Sequence, residues 1–315
     1  MKPVLAVVGP TAIGKSEAAI YLAQKVDGEV VNADSRQVYR YMDIGTAKPS
    51  AEDRAMVPHH LIDLINPDGH FSLAVYQELA LRAISDIHVR GKMPILVGGS
   101  GLYVWAVLEG WRVPPVPADG QLREQLSERA QTGNPEILYN ELLRVDPRSA
   151  NAIGPNNTRR IIRALEVFYV TGTPMSELRR KEAPGFQNLV FGLTASRAEL
   201  YRRIDRRVED MLAHGLVEET RGLLEKGYTL DLPAMSGIGY KQVALHLRGE
   251  LGLDEAVRQI KKATRNLARH QYGWFRLTDR RIHWFDVESA DKSNVLESVS
   301  GWLGDLQTEY RVLAT

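Results

Sequence analysis

The chain has 315 residues and a mass of 35.3 kDa, and at 44% hydrophobic and 25% charged it has the composition of about two folded domains, which excludes disorder over most of its length. It contains no cysteine. That excludes disulfides, thiolate nucleophiles, iron–sulfur clusters and cysteine-based zinc sites, and it suits a reducing cytoplasm. The net charge of +1 hides an uneven distribution: 15 basic against 18 acidic residues in 1–150, 23 against 15 in 151–281, and 2 against 6 in 282–315. A basic middle stretch of this kind fits a polyanionic partner, with a merely solvated surface as the alternative.

Residues 4–8 read as a buried strand, 16–26 as a helix, 29–33 as a second strand and 60–65 as a third. Residues 72–89 carry helical periodicity, with Leu73, Tyr76, Ala80, Ala83, Ile84 and Ile87 on one face, and 93–97 form a further strand that ends in a Gly-Gly-Ser-Gly turn. Strands alternating with helices predict an α/β doubly wound parallel sheet. The proline-rich run at 113–117 breaks this rhythm, and the sequence to about 185 is helical, which predicts an insertion. Residues 189–193 return to strand, 196–226 and 253–274 read as long amphipathic helices, and 282–285 as a last short strand. The expected organisation is therefore a core in two parts, 1–113 and 186–315, around a helical insertion at 114–185. The apolar run at the amino end is too short for a secretion signal and no segment reaches about 18 apolar residues, so no membrane association is expected.

Gly9-Pro10-Thr11-Ala12-Ile13-Gly14-Lys15-Ser16 matches G-x-x-x-x-G-K-[ST] directly after a strand and opening a helix. Such a P-loop turns backbone N–H groups and a helix N-terminus toward phosphate oxygens, while Lys15 neutralises charge and Ser16 can ligate Mg²⁺. The pattern predicts a bound di- or triphosphate and leaves open what the phosphate is attached to. Asp34 follows the second strand and Ser100 sits in the later glycine turn, so both fall at strand ends, where ligands collect in open α/β sheets. Asp34 can serve as general base, metal ligand or cap of its own turn, and Ser100 as a hydroxyl donor or a turn residue. Asp63 resembles a Walker B aspartate only weakly, and its role stays open; the adjacent His59 and His60 lack a third spaced ligand for a metal.

In the helix at 253–274, Arg258, Lys262, Arg265 and Arg269 form one basic stripe, and Ala256, Ile260, Ala263 and Leu267 form an apolar one on the far side. The basic stripe suits phosphates of a nucleic acid, with Tyr272, Trp274 and Phe275 as stacking surfaces, unless it is simply solvated. Arg159, Arg160 and Arg163 cluster within five residues, fit for bidentate phosphate contacts or for ion pairs with Glu166.

With these residues assembled, the chain resembles the bacterial tRNA dimethylallyltransferase family. The likeness runs from residue 2 to about 285 through GPTAIGKS, ADSRQVYRYMDIGTAKP, HHLID, GGSGLY, RRIIRALEV and GIGYKQ, in the family's order. It implies a P-loop core with a helical insertion that clamps the anticodon stem-loop of tRNA, and transfer of a prenyl group from dimethylallyl diphosphate to the exocyclic amine of the adenosine 3′-adjacent to the anticodon. By the same resemblance Asp34 is the base, Ser100 stands where the family usually has threonine and donates to the bridging oxygen, and Lys15, Arg221 and a Mg²⁺ held by Ser16 neutralise the leaving diphosphate. It assigns tRNA contact to Asp34, Ser35, Arg36, Gln37, Ser100, Arg123, Arg159, Arg160, Ile161, Ile162 and Arg163, and to the segment of Arg265, Arg269 and Arg276. No protein partner is implied, and a monomer is expected. Two rivals are an adenylate isopentenyltransferase, which has no use for a stem-loop clamp, and an NTP-switched RNA-binding protein, which needs a switch element the sequence lacks.

Overall fold

The computed structural model describes residues 2–114, 116, 119–132, 136–178, 180–289 and the single positions 294, 297 and 301. The chain divides into two compact units, Met1–Val104 with Gly185–Thr315, and Trp105–Pro184. In chain order the elements are β1 (Lys2–Val8), α1 (Lys15–Lys25), β2 (Gly28–Asn32), α2 (Ala51–Met56), β3 (His59–His60), α3 (Leu73–Val89), β4 (Met93–Gly98) and α4 (Gly101–Leu108). The helical unit follows with α5 (Gly120–Thr132), α6 (Glu136–Val145), α7 (Pro147–Ile153), α8 (Thr158–Thr171) and α9 (Met175–Leu178). The chain returns with β5 (Phe186–Thr194), α10 (Arg197–Ala213), α11 (Leu216–Glu225), α12 (Tyr240–Leu247), α13 (Leu253–Trp274) and β6 (Ile282–Asp286).

Six strands form one sheet in the order β3-β2-β4-β1-β5-β6, with every pairing parallel. Parallel strands are covered on both faces, which is why β1 carries an unbroken apolar run from Val4 to Val8 and why β2 is buried throughout, its polar Glu29 and Asn32 included. The register aligns Val8 with Gly98 and Gly192, and Asn32 with Val97. β1, β2 and β4 thus end within one residue of one another, β5 continues to Thr194, and the loops that leave β1, β2 and β4 open at the same edge.

Two sequence expectations fail for local backbone reasons. The third strand is only His59–His60, because Leu61 and Asp63 take left-handed φ values of +65° and +57°. Beyond it the backbone turns to residues 37–40, with Asp63 N donating to Gln37 O and Leu64 N to Val38 O. The helix expected over 196–226 is two helices, broken at His214 and Gly215, where Gly215 adopts φ +96° as the N-cap of α11. The apolar period continues through this break and does not report it.

The helical unit has its own core, including Leu126, Leu138, Leu142, Ile161 and Leu165. At its side lies Glu166, fully buried, which accepts from Arg123 Nε at 2.8 Å, Arg123 Nη2 at 2.9 Å, Arg163 Nη1 at 2.5 Å and Asp119 N at 2.8 Å. Burial pushes this carboxyl up, but the two guanidiniums and the backbone donor outweigh it and hold it below the usual range. Within the proline-rich run, Pro115 and Pro117 lie outside the described residues. Among the described residues no helix is long and apolar enough to cross a membrane.

Candidate active site

The loop after β1 is shaped by two positive-φ glycines. Gly9 sits at φ +142°, and a Cβ there would stand 2.5 Å from Leu193 O; Gly14, at φ +102°, is the N-cap of α1 and has no side chain to occupy the helix end. The first turn of α1 is therefore open for an anion. Lys15 folds back so that Nζ donates to Pro10 O at 2.7 Å.

This loop forms one wall of a cavity at the level strand ends. Thr11, Lys15, Ser16, Asn32, Asp34, Gln37, Arg207 and Gln271 bring polar groups to it, and Val30, Ile62, Val97 and Leu267 are among its apolar lining. Lys15, Arg207 and Asp34 interact electrostatically. Burial, reinforced by the neighbouring Arg207 charge and only partly opposed by Asp34, pulls the Lys15 ammonium down to about 7. Burial also lowers the Arg207 guanidinium, again with Asp34 opposing. Two crowded cations facing a single carboxylate make a site that gains stability when an anion enters.

Asp34 takes one of the roles the sequence allows, cap of its own turn. Its Oδ1 accepts from Arg36 N at 2.8 Å, capping the turn, while the residue lines the cavity. Oδ2 takes no hydrogen bond among the described residues. Ser100 does not line the cavity; it fastens that turn, with Oγ accepting from Ser35 N at 3.1 Å and donating to Ser35 Oγ at 3.4 Å. Arg36 is anchored by Nη1 to Pro233 O at 2.7 Å, and the buried Gln37 amide donates to Thr46 O and Ala47 O. Asp63 is no crevice aspartate, because Lys48, whose side chain is almost wholly buried, and Arg54 hold it in ion pairs of 2.6 and 3.1 Å. The two histidines diverge: His59 lines the cavity, while His60 pairs with Glu29 at 2.6 Å.

Arg221, to which the family resemblance assigns a place at the leaving diphosphate, is not among the residues that line this cavity. Its side chain is half exposed on α11, 3.9 Å from Glu218, and the arginine that lines the cavity beside Lys15 is Arg207 of α10. Sequence reasoning misses Arg207 because α10 carries five arginines. A signal exists: Leu200, Ile204 and Val208 form the buried stripe of α10, and Arg207 lies three residues beyond Ile204 on that side. A charge on an apolar stripe needs a reason. Gln271, likewise absent from the sequence-derived candidates, is buried on α13 and bonded into the phosphate loop.

The basic surfaces are also revised. Ile161 and Ile162 are buried in the helical unit's core, so their side chains cannot meet RNA, and Arg123 and Arg163 are committed to Glu166; Arg159 and Arg160 remain exposed. On α13, Arg265 is half-buried, paired with Asp205 at 2.5 Å and stacked over Tyr201. Arg258 pairs with Glu255, and Arg269 bonds to Asn266, while Lys262, Arg269 and Arg276 are exposed. The packed face of α13 is Ala256, Ile260, Ala268 and Gln271; Leu267, expected in it, is exposed and lines the cavity.

The IPP transferase family profile matches residues 37–278. The chain belongs to the IPP transferase family. Within that family, the tRNA dimethylallyltransferase of Thermomicrobium roseum is 53% identical over 286 residues, covering 91% of this chain and 87% of that protein. The enzyme of the same name from Dehalococcoides mccartyi is 45% identical, covering 97% and 94%. The crystal structure of the full-length tRNA isopentenylpyrophosphate transferase from Bacillus halodurans superposes with a TM-score of 0.74 at 38% identity, covering 100% of both chains. A eukaryotic dimethylallyltransferase captured acting on tRNA gives 0.81 at 29% identity, covering 98% of this chain and 80% of that one.

Proposed function

We propose that the protein is a tRNA dimethylallyltransferase, moving the prenyl group of dimethylallyl diphosphate onto the exocyclic amine of the adenosine 3′-adjacent to the anticodon. The observation that carries this is the meeting of Lys15, Arg207 and Asp34 in one crevice at the strand ends of an IPP transferase chain. In the reaction the bond between the allylic carbon and the diphosphate oxygen breaks, a carbon–nitrogen bond to the adenine amine forms, and the amine loses a proton. Charge grows on the diphosphate as it leaves, and Lys15, Arg207 and the loop N–H groups stand fixed at that wall to stabilise it. The amine's lone pair is delocalised into the ring, so nitrogen becomes nucleophilic as its proton is removed; Asp34 Oδ2, which takes no hydrogen bond among the described residues, is the base. Arg36 N holds the other oxygen and thereby the orientation.

The residues fit a divalent cation of the hard, water-retaining kind. Ser16 opens into the same cavity as Asp34 and Asn32, and no cluster of three or more His, Asp or Glu occurs among the described residues, so most ligands are left to the diphosphate and water. Held at Ser16, Mg²⁺ would supply further neutralisation of the leaving group. The target adenosine must leave its stack to reach Asp34, a cost offset by contacts in the crevice. Exposed Arg159, Arg160, Lys262, Arg269 and Arg276 are the cations we assign to the tRNA backbone. A cytoplasmic monomer is the form this reading takes.

The test supplies labelled dimethylallyl diphosphate and Mg²⁺ with either unmodified tRNA or adenosine monophosphate, using wild type and Asp34→Asn. Label is expected in tRNA alone, with Asp34→Asn inactive yet still binding tRNA. Label in the free nucleotide points to the adenylate enzyme instead, and wild-type turnover by Asp34→Asn removes the carboxylate from the mechanism.

A further inference from the structure

The phosphate loop and the glycine turn after β4 are joined by one side chain from a distant helix. Gln271 Oε1 accepts from Thr11 N at 2.7 Å, and its Nε2 donates to Gly99 O at 3.0 Å. The residue is 7% exposed, and it fits so closely that a Cβ on Gly99 would lie 2.2 Å from Nε2. From Gly99 the connection continues through the next residue. Ser100 N donates to Ala33 O at 3.3 Å, Ser100 Oγ accepts from Ser35 N at 3.1 Å, and Arg36 N caps Asp34 Oδ1 at 2.8 Å. Hydrogen bonds joined by the peptide links Gly99–Ser100 and Ser35–Arg36 thus run from the lip that would hold the diphosphate to the carboxylate on the opposite lip, and Gln271 is the only member of the series from outside those two lips among the described residues.

We propose that Gln271 is a positioning residue for prenyl transfer, fixing the spacing between the leaving-group lip at Thr11 and the acceptor lip at Ser100 and Asp34. This rests on the diphosphate reading of the loop given above. The position requires one acceptor and one donor on the same planar group, a demand the glutamine amide meets and a carboxylate meets only when protonated. In-line displacement requires the carbon to lie between the leaving oxygen and the attacking nitrogen, so a shift of either lip lowers the reaction rate more than the binding of either substrate.

The variants that test this are Gln271→Met, which keeps the volume and removes both hydrogen bonds, and Gln271→Glu. Gln271→Met should lower kcat by about tenfold or more while pyrophosphate affinity and tRNA affinity stay within about threefold. The Glu variant has its own signature. A buried carboxyl facing Gly99 O favours the protonated form, which accepts from Thr11 N and donates to Gly99 O as the amide does. The ratio of Glu-variant to wild-type kcat should therefore rise as pH falls from about 9 to about 6, with the Met-variant ratio flat. Turnover by Gln271→Met within about twofold of wild type, or Glu and Met ratios that run parallel with pH, overturns the proposal. Loss of thermal stability accompanied by equal losses of kcat and pyrophosphate affinity in both variants also overturns it, reducing Gln271 to a packing role. Lys15→Ala separates the two readings: pyrophosphate bound by wild type and lost in Lys15→Ala keeps the diphosphate reading whatever the Gln271 variants do. A wild-type protein that binds no pyrophosphate overturns both.

Discussion

Lys15 should make the ligand-free protein more stable as the solution becomes more alkaline. Its ammonium titrates at about 7 in the folded crevice against 10.5 when unperturbed, because burial and the Arg207 charge both disfavour the protonated form. Between those values the unfolded chain binds one more proton than the folded one, so stability rises with pH. Applying the linkage relation to these two values gives a penalty that is almost constant below about pH 6 and shrinks by about 2 kcal/mol between about pH 7 and about pH 9. Lys15→Met has no group to titrate and cancels every other ionisation common to both proteins. Urea unfolding of wild type and Lys15→Met at a series of pH values should therefore show wild type gaining about 2 kcal/mol on the variant over that window. Saturating pyrophosphate should flatten the gain, since an anion beside Nζ restores the charged form. A difference between the two proteins that does not change from about pH 7 to about pH 9 would show a fully protonated Lys15 and refute the crowded-cation account of the site.

Two further substitutions divide the cations by location. Arg207→Ala should cut kcat by about 10²-fold or more and weaken pyrophosphate binding, whereas Arg221→Ala, half exposed beside Glu218, should cost far less; steady-state kinetics showing the reverse order would restore Arg221 to the site. Lys262→Ala with Arg269→Ala should weaken tRNA binding and reduce the salt slope by roughly 0.7 to 0.9 for each phosphate left without its cation. Arg265→Ala, by contrast, should mainly lower stability, by about 1 kcal/mol, because it removes the ion pair to Asp205 and the stacking over Tyr201; filter binding across a salt series and thermal unfolding distinguish the two effects.

Much of the fold is legible in the sequence. The strands β1, β4 and β5 are marked by apolar runs at 4–8, 93–97 and 189–193 because both faces of a parallel sheet are covered, and the phosphate loop is a pattern whose glycines are demanded by backbone geometry at Gly9 and Gly14. The periodicity of α13 marks both of its ends, Leu253 and Trp274. What escapes the pattern are features carried by single φ angles, at Leu61, Asp63 and Gly215, which leave the hydrophobic period unchanged. The choice among like residues escapes it as well. Arg163 and Arg160 sit three positions apart with the same chemistry, yet one is spent on buried Glu166 and the other meets solvent.

The sequence by itself determined the sheet, the anion-binding loop and the presence of Asp34 at a strand end, because each depends on local periodicity or on a short backbone motif. Only the tertiary structure decided that Arg207 lines the cavity beside that loop, and that Gln271 reaches back 260 residues to Thr11. Which of many chemically equivalent arginines loses its water, and which amide finds two backbone partners, is set by how α10 and α13 pack on the sheet, and no spacing along the chain encodes that distance.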